Sequence, residues 1–439
     1  MNVISTDNAY RFTPTSSGGI IITAADHGSD AMLRSPAAQL FQALERGEGL
    51  ALQGQHGKFL ETARSAGWVD DALHLRGVLS PEPRANQLKR VQIELSVRCN
   101  FKCLYCYSES GPTQAAALDV CKVKSILDDA HRMGVTWIDF TGGEVLIYKE
   151  WDTVVAHARN LGLIVSVHSN GLLLTERNVR RLTELRIRTL QVTVESHHAE
   201  VHESVGRGSR LSHQRVLDGL RRAQEAGINV RLAALVHRKN IDHIADSVRW
   251  FHDQFGTPLS LDRVMATGVE GATPLAVSES EFWEAVSPLL GTGTASAGRI
   301  CDPLTQANTP VEPECGVAHS FVYVTADGHF SLCPTMTHRE EEQFDGPTTD
   351  QMGLETAWEQ SDLFNRFRGL NCENVGVCPA ASTCGGGCRS NAYLETGRLT
   401  APDSISCNTH KNPNKTYVNF LGRYDSGIFT PVSVEEIIS

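Results

Sequence analysis

The sequence lacks the features of a secreted or membrane-embedded protein. Its first residues, MNVISTDNAYRF, contain neither the basic segment nor the apolar stretch of a signal peptide. No apolar run approaches the roughly 18 residues that a membrane-spanning helix needs. We therefore expect a cytoplasmic protein without a membrane partner.

Positive charge is also in short supply. Lysine and arginine number 40 against 51 aspartate and glutamate residues, which gives a formal net charge of −11. A protein that binds a long stretch of nucleic acid needs an excess of positive charge, so nucleic acid is not an expected partner. Small molecules and peptides are favoured instead.

The 12 cysteines are not expected to form structural disulfides, because a cytoplasmic protein stays reduced. With 439 residues, 41% of them hydrophobic and 21% charged, the chain can build a sizeable core without crosslinks. Metal or redox chemistry is therefore the expected role of most of these cysteines.

Six predicted β-strands alternate with helices between Val91 and about Met265. The strands read VQIEL, VTWIDF, LIVSVHS, TLQVTV, NVRLAALV and PLSLDRVM. Successive βα steps form right-handed crossovers, so the strands run parallel. We predict an α/β fold with a partial (β/α)6 TIM-like barrel, in which functional groups gather at the carboxyl ends of the strands.

Other domains are predicted on either side of this barrel. Residues 8–78 contain the strands YRFT, GGIIITA and LHLRGVL and the helices SPAAQLFQALERG and HGKFLETARSAG, an order typical of a winged-helix-like module. The predicted boundaries are 1–80 for this peptide recognition module, 81–90 for a proline-containing linker, 91–290 for the barrel, 291–410 for a cysteine-rich domain and 411–439 for a C-terminal tail.

Three cysteines follow the first barrel strand directly, in the stretch CNFKCLYCY. Cys99, Cys103 and Cys106 have no fourth cysteine nearby, whereas a 4Fe-4S cube normally takes four thiolates. TGGE at residues 141–144 follows the second strand, and SNG at residues 169–171 follows the third. This combination of motifs resembles the radical S-adenosylmethionine (SAM) enzymes.

The resemblance implies a cofactor site. In that family the iron without a thiolate binds the amino and carboxylate groups of S-adenosylmethionine, and an electron from the cluster cleaves this cofactor to a 5′-deoxyadenosyl radical. The residues implied to contact S-adenosylmethionine are Tyr105, Gly142, Gly143, Glu144, Ser169, Asn170, Thr193 and Arg207.

Each of these contacts has an implied partner on the cofactor. Glu144 would accept from the amino group and the two glycines would permit a close backbone approach. Ser169 and Asn170 would contact the ribose, and Tyr105 would lie near the adenine. Thr193 and Arg207 would hold the carboxylate, although Glu195–Ser196 stands where relatives have Asp-Gly.

The C-terminal cysteines resemble the SPASM extension of radical enzymes, which houses two auxiliary 4Fe-4S clusters. The family's pairing assigns one set to the outer cluster: Cys372, Cys378, Cys384 and Cys407. It assigns a second set to the inner cluster: Cys315, Cys333 and Cys388. Cys301 is the fourth inner ligand, or that cluster keeps an open iron. Five residues separate Cys372 from Cys378, where two are usual.

These resemblances imply an enzyme whose cofactors are S-adenosylmethionine and three 4Fe-4S clusters. They also imply a flavodoxin or ferredoxin-type protein as its reductant. The N-terminal module resembles domains that bind the leader of a precursor peptide as an added strand. We predict an enzyme similar to maturases of ribosomally synthesised peptides, which abstracts hydrogen from a precursor peptide and installs a C–C or C–S crosslink. The catalytic acid or base is not identified.

Three other functions fit the sequence less well than peptide crosslinking. Sulfatase maturation, which forms formylglycine, is opposed by Pro334, because such enzymes carry an acidic residue at this position. Oxidation of a porphyrin or small molecule would leave the N-terminal module without a substrate. An iron–sulfur electron carrier would have no use for TGGE.

The number of clusters predicts the iron content. Protein reconstituted without oxygen should carry about twelve irons per chain if it holds three cubes. Replacing Cys99, Cys103 and Cys106 together with alanine should leave about eight, because the C-terminal cysteines remain. Iron and zinc analysis of both proteins checks this. Zinc in place of iron would contradict the prediction.

Overall fold

The described residues of the computed structural model form two β-sheets, with helices packed around them. The residues described are 10–14, 20–24, 31–33, 60–61, 63–65, 68–70, 77–79, 86–257, 259–266, 269–289, 295–297, 316–337, 344, 346–411 and 431–432.

Within these ranges the strands are β1 Tyr10–Pro14, β2 Ile20–Ala24, β3 Ala31–Leu33, β4 Gly77–Leu79, β5 Arg90–Glu94, β6 Trp137–Thr141, β7 Ile164–Ser169, β8 Thr189–Thr193, β9 Val230–Val236, β10 Leu259–Arg263, β11 Ala295–Ala297, β12 Phe321–Val324, β13 Phe330–Ser331 and β14 Pro431–Val432. The α-helices are α1 Val120–Arg132, α2 Trp151–Asn160, α3 Glu176–Glu184, α4 Ala199–Ser204, α5 Arg210–Glu225, α6 Ile244–Phe255, α7 Glu279–Val286, α8 Leu354–Gln360, α9 Asp362–Arg368, α10 Ala381–Cys384, α11 Arg389–Thr396 and α12 Ser404–Lys411.

The smaller sheet belongs to the N-terminal module and has the order β14-β3-β2-β1-β4. Strands β1 and β2 are antiparallel, and β4 is parallel to β1. The three strands predicted for this module are confirmed. Residues 60–61 and 63–65 are helical, within the second predicted helix, whereas SPAAQLFQALERG lies outside the described residues.

The predicted C-terminal tail contributes to this sheet as well. Pro431 and Val432 pair with Met32 and Leu33 of β3 in parallel. The winged-helix assignment and the domain boundaries remain predictions.

The larger sheet contains the predicted barrel. Strands β5 to β10 follow one another in space and are parallel throughout. At the two edges, β5 pairs with β12 and β10 pairs with β11, so the barrel does not close on itself. The α/β fold with a partial (β/α)6 barrel is therefore confirmed.

Alternation along these strands divides the barrel into an apolar outer layer and a polar lumen. The apolar side chains of these strands belong to the main core: Val91, Ile93, Ile138, Phe140, Val165, Val167, Leu190, Val192, Leu259 and Leu261. The alternate residues line the lumen and are mostly polar: Arg90, Gln92, Thr141, His168, Gln191, Thr193, Ala233, Ser260 and Asp262. The lumen is thus built to hold a polar ligand.

Local signals explain several helix boundaries. The Asp119 carboxylate accepts a hydrogen bond from the Cys121 amide at 2.8 Å and caps the start of α1. Ser209 with Ser212, and Ser278 with Glu281, form capping boxes at the starts of α5 and α7. Each cap satisfies backbone N–H groups that a helix leaves unpaired in its first turn.

The cysteine-rich region packs directly against the barrel. Strand β12 extends the barrel sheet through β5, and Asp129 of α1 accepts from the Leu354 amide at the start of α8 (2.9 Å). At the opposite edge, Arg263 of β10 donates to Asn391 of α11 at 3.1 Å and pairs with Glu395. In the part of the chain described, no helix has the length and apolarity that crossing a membrane requires.

Candidate active site

A cavity of about 440 Å³ lies inside the barrel and reaches the carboxyl ends of its strands. Many of the residues predicted for the site line it: Cys99, Cys103, Tyr105, Cys106, Gly142, Gly143, Ser169, Asn170, Thr193, Arg207 and Cys333. Residues distant in sequence are therefore brought to one space. Glu144 lies behind this lining and is almost completely buried.

The loop carrying the three cysteines is held between two other segments of backbone. On one side the amides of Gly143 and Glu144 donate to the carbonyls of Ser96 (2.7 Å) and Arg98 (3.0 Å). On the other side the Lys102 and Leu104 amides donate to the carbonyls of residues 206 (3.1 Å) and 205 (3.0 Å). We call these two segments, residues 142–144 and 205–206, the loop clamp.

The glycines of the loop clamp are required by its closeness. A Cβ on Gly143 would lie 2.5 Å from the Arg98 carbonyl oxygen, and one on Gly206 would lie 2.1 Å from that of Lys102. Gly206 also has a φ of +83°, which side chains disfavour. The close backbone approach predicted for Gly142 and Gly143 is thus made to the cysteine loop. Their approach to S-adenosylmethionine remains a prediction.

The thiols of this loop are chemically suited to bind the irons of an iron–sulfur cluster. Burial raises the pKa of Cys99 to about 11 and that of Cys103 to about 12, with Arg207 acting in the opposite direction on Cys103. A bound metal deprotonates such thiols. Among the described side chains, no group of three or more His, Cys, Asp or Glu could hold a single metal ion. A cube spreads its ligands over several irons, so it does not require that convergence.

Glu144 has protein partners that join two loops of the barrel. Its carboxylate accepts from the Leu146 amide (3.0 Å), the Asn170 amide (2.7 Å) and the Ser169 hydroxyl (2.9 Å). Burial raises its pKa, and these donors oppose the shift. Glu144 therefore fixes the SNG loop relative to TGGE, and its contact with a bound amino group remains a prediction.

The SNG loop also reaches the cysteine loop. The Asn170 side-chain amide donates to the Asn100 Oδ1 (2.6 Å) and lies 3.5 Å from the Cys99 Sγ. The Ser169 hydroxyl accepts from the Gly171 amide at 3.0 Å. Asn170 thus stands beside the sulfur that would bind iron, and the ribose contacts remain predictions.

A buried ionic network, missed by the sequence analysis, underlies the loop. The Glu195 carboxylate accepts from the Tyr105 hydroxyl and lies 3.6 Å from Arg207 Nη1 and 3.5 Å from His237 Nε2. Burial alone would raise the pKa of Glu195, but His237 and Arg207 outweigh it and lower the pKa. In the sequence Glu195 is apparent only as a replacement for the aspartate of relatives. Glu195 lies just after β8 and His237 just after β9, and these positions at the carboxyl ends of neighbouring strands could have indicated the network.

Arg207 and Thr193 contact each other at the wall of the cavity. Arg207 Nη2 donates to the Thr193 carbonyl (2.7 Å), and its guanidinium lies 5.3 Å from the centre of the Phe101 ring. In the described structure Arg207 Nε is buried without a hydrogen-bond partner, which leaves a donor for a ligand. Their contact with the cofactor carboxylate is still a prediction.

Cys333 connects the cysteine-rich region to the barrel cavity, which it lines together with Pro334 and Thr335. The Thr335 and Ser390 hydroxyls lie 2.7 Å apart, which joins the Cys333 segment to the start of α11, where Cys388 stands. The two cysteines that are predicted for the inner cluster and fall within the described residues are thus on adjoining segments. Cys301 and Cys315 lie outside the described residues.

The glycines of CGGGC draw the outer set together. A Cβ on Gly386 would lie 3.5 Å from the Cys372 nitrogen, and one on Gly387 would lie 2.9 Å from the Ser406 Cβ, next to Cys407. The unusual spacing before Cys378 is taken up by turns, in which the amides of Val375 and Cys378 donate to the carbonyls of Cys372 (3.0 Å) and Asn374 (2.9 Å). Cluster binding by these cysteines remains a prediction.

Comparison with known proteins identifies the barrel. The model of the Radical SAM superfamily matches residues 93–251. Mycofactocin maturase MftC of Mycobacterium tuberculosis is 24% identical over 330 residues, 73% of this chain and 83% of its own. PqqA peptide cyclase of Gluconobacter oxydans is 26% identical over 323 residues, 71% and 88% of the two chains.

The fold has a solved counterpart. Streptococcus suis SuiB, crystallised with the precursor peptide SuiA, superimposes with a TM-score of 0.61 at 16% identity and covers 93% of this chain and 100% of its own. The predicted resemblance to radical SAM peptide maturases is confirmed, and the family supports S-adenosylmethionine and one 4Fe-4S cluster as cofactors of the domain.

Two glycines test the loop clamp. Gly206 and Gly227 have similar φ values, +83° and +78°, but a Cβ on Gly227 would meet nothing within 4 Å. Gly227→Ala should cost only the backbone strain, about 1 kcal/mol. Gly206→Ala should cost about 3 kcal/mol, because the clamp must also move away from the Lys102 carbonyl. Unfolding monitored by circular dichroism measures both, and equal losses would contradict the clamp.

Proposed function

Because residues 93–251 form a radical SAM domain, we propose that this protein modifies a ribosomally synthesised precursor peptide, in which it installs a C–C or C–S crosslink. The observation that carries the proposal is the single cavity shared by the three motif cysteines, the polar lumen and Cys333. The names of the relatives MftC and PqqA peptide cyclase, and the peptide bound to SuiB, support a peptide as the substrate.

The residues around the cavity have distinct tasks in this proposal. Cys99, Cys103 and Cys106 hold the cluster, and S-adenosylmethionine supplies, when bound, the radical that removes a hydrogen atom from the peptide. The free Nε of Arg207 receives the cofactor carboxylate, while Glu195 neutralises and orients the guanidinium. Burial of these groups keeps water away from a reactive species.

The cysteine-rich domain has a second task. We assign the C-terminal cysteines to two auxiliary 4Fe-4S clusters, with Cys333 on the one nearer the barrel. An electron released during crosslinking would leave the peptide through this cluster, since Cys333 lines the same cavity. A flavodoxin or ferredoxin-type protein would supply the electron that starts the reaction. Such low-potential chemistry suits the reducing cytoplasm, which is the proposed location of the protein.

The N-terminal sheet is the proposed docking site for the leader of the precursor. An extended peptide adds to an exposed sheet edge by main-chain hydrogen bonds. Among the described strands, β4 stands last on one side of the sheet. Docking there would raise the concentration of the core peptide at the barrel, which makes a weak contact at the reacting residue sufficient.

Isotope transfer tests the reaction. A candidate precursor sought among the neighbouring genes, deuterated at the residues of its core, is incubated with reduced protein and S-adenosylmethionine. Deuterium should appear in 5′-deoxyadenosine and the peptide should lose two hydrogens, because abstraction and bond formation each remove one. The variant lacking the three motif cysteines serves as the control. Deuterium transfer only from a sulfatase peptide, with formylglycine as product, would contradict the crosslinking proposal.

Leader dependence tests the docking site. A precursor without its leader should be crosslinked more slowly at low concentration, because the core alone binds weakly, and the rates should converge as its concentration rises. Adding the free leader as a separate peptide should not restore the rate. Equal rates for both precursors at low concentration would show that the N-terminal module does not dock a leader.

A further inference from the structure

The lumen contains a histidine that takes no part in the proposed binding of the cluster or of S-adenosylmethionine. His168 lies on β7, one residue before Ser169, and lines the cavity shared by the motif cysteines. Its side chain is 19% exposed, whereas its strand neighbour Val167 is completely buried in the outer core. The imidazole is thus accessible from the cavity, where a substrate would bind.

A carboxylate orients this imidazole from within the barrel wall. His168 Nε2 lies 3.5 Å from Asp139 Oδ1, and Asp139 is fully buried. Arg90 Nε pairs with the other carboxylate oxygen, and Trp137 Nε1 donates to Oδ1 at 3.1 Å. Although burial raises the pKa of Asp139, Arg90 and His168 bring it far below its usual value. A carboxylate fixed in this way orients the ring of a neighbouring histidine.

We propose that His168, positioned by Asp139, accepts the proton that the peptide loses when the crosslink forms. The inference rests on the proposed function and supplies the base that it lacks. Crosslinking removes two hydrogens from the peptide and joins two of its atoms. One hydrogen leaves as an atom and completes 5′-deoxyadenosine. The other leaves as a proton to His168, and the remaining electron passes to an oxidised iron–sulfur cluster.

The other polar groups of the lumen are weaker candidates. On the strand next to β7, Gln191 pairs with His168 in register and is neutral. Arg90 of β5 is a cation, and Asp139 of β6 is occupied by its three donors. Asp262 of β10 is a carboxylate of the cavity lining, which does not include Asp139, and it is the main rival as proton acceptor. The comparison of His168 with Asp262 is therefore part of the test.

The test separates hydrogen abstraction from crosslinking, with the cofactor-loaded enzyme and core-deuterated precursor. His168→Gln should still transfer deuterium to 5′-deoxyadenosine, but the ratio of crosslinked peptide to 5′-deoxyadenosine should fall at least about tenfold. The peptide radical that cannot react onward is quenched, so peptide that has lost deuterium without a crosslink should accumulate. Asp139→Asn should shift the ratio in the same direction, while precursor affinity, measured by calorimetry, should be unchanged in both variants.

A matched histidine provides the control. His157 of α2 pairs with Asp128 of α1 at 2.7 Å, outside the cavity lining, so His157→Gln should keep the wild-type ratio. Iron content of all variants must match the wild type, and each must be fully folded at the assay temperature, which excludes misfolding. Asp139→Asn is expected to have a lower thermal midpoint, because it breaks the buried ion pair with Arg90. A wild-type ratio in His168→Gln would overturn the inference, and uncoupling only in Asp262→Asn would assign the proton to Asp262. Failure of the proposed function is distinct, since the wild-type protein itself would then form no crosslink.

Discussion

The rest of the site depends on the backbone hydrogen bonds that hold the cysteine loop. Residues 142–144 lie against one side of it and residues 205–206 against the other, and the glycines among them approach it too closely to carry a Cβ. Backbone hydrogen bonds position the thiols without using the side chains that must face the cavity. This arrangement links β6 to the segment between α4 and α5, so the loop is defined only when the barrel has folded.

Two buried ionic systems extend from this loop into the barrel. Glu195 joins Tyr105 and Arg207 beneath the thiols, and Asp139 joins Arg90 to His168 deeper in the lumen. Buried charges are costly unless paired, so each carboxylate has an arginine close by. Two partners of each carboxylate line the cavity: Tyr105 and Arg207 in the first system, Arg90 and His168 in the second. The barrel thereby keeps a polar lumen within an apolar shell.

The sequence predicted the barrel closely because both of its signals are local. Alternating strands and helices fix the order of the elements, and the three cysteines identify their loop. Contacts between distant segments could not be foreseen in the same way. Glu195 and His237 meet only because β8 and β9 are neighbours, and Glu144 turns inward to Ser169 because the two loops adjoin. The pairing of residues 431–432 with β3 carried no sequence signal.

The central claim is that three thiolates leave one iron of the barrel cluster to S-adenosylmethionine. Electron paramagnetic resonance of the reduced protein tests it most directly, as a difference between the wild type and the variant with Cys99, Cys103 and Cys106 replaced by alanine. The account predicts a difference spectrum from one cluster that changes when S-adenosylmethionine is added. A spectrum that is present but insensitive to S-adenosylmethionine would contradict the account.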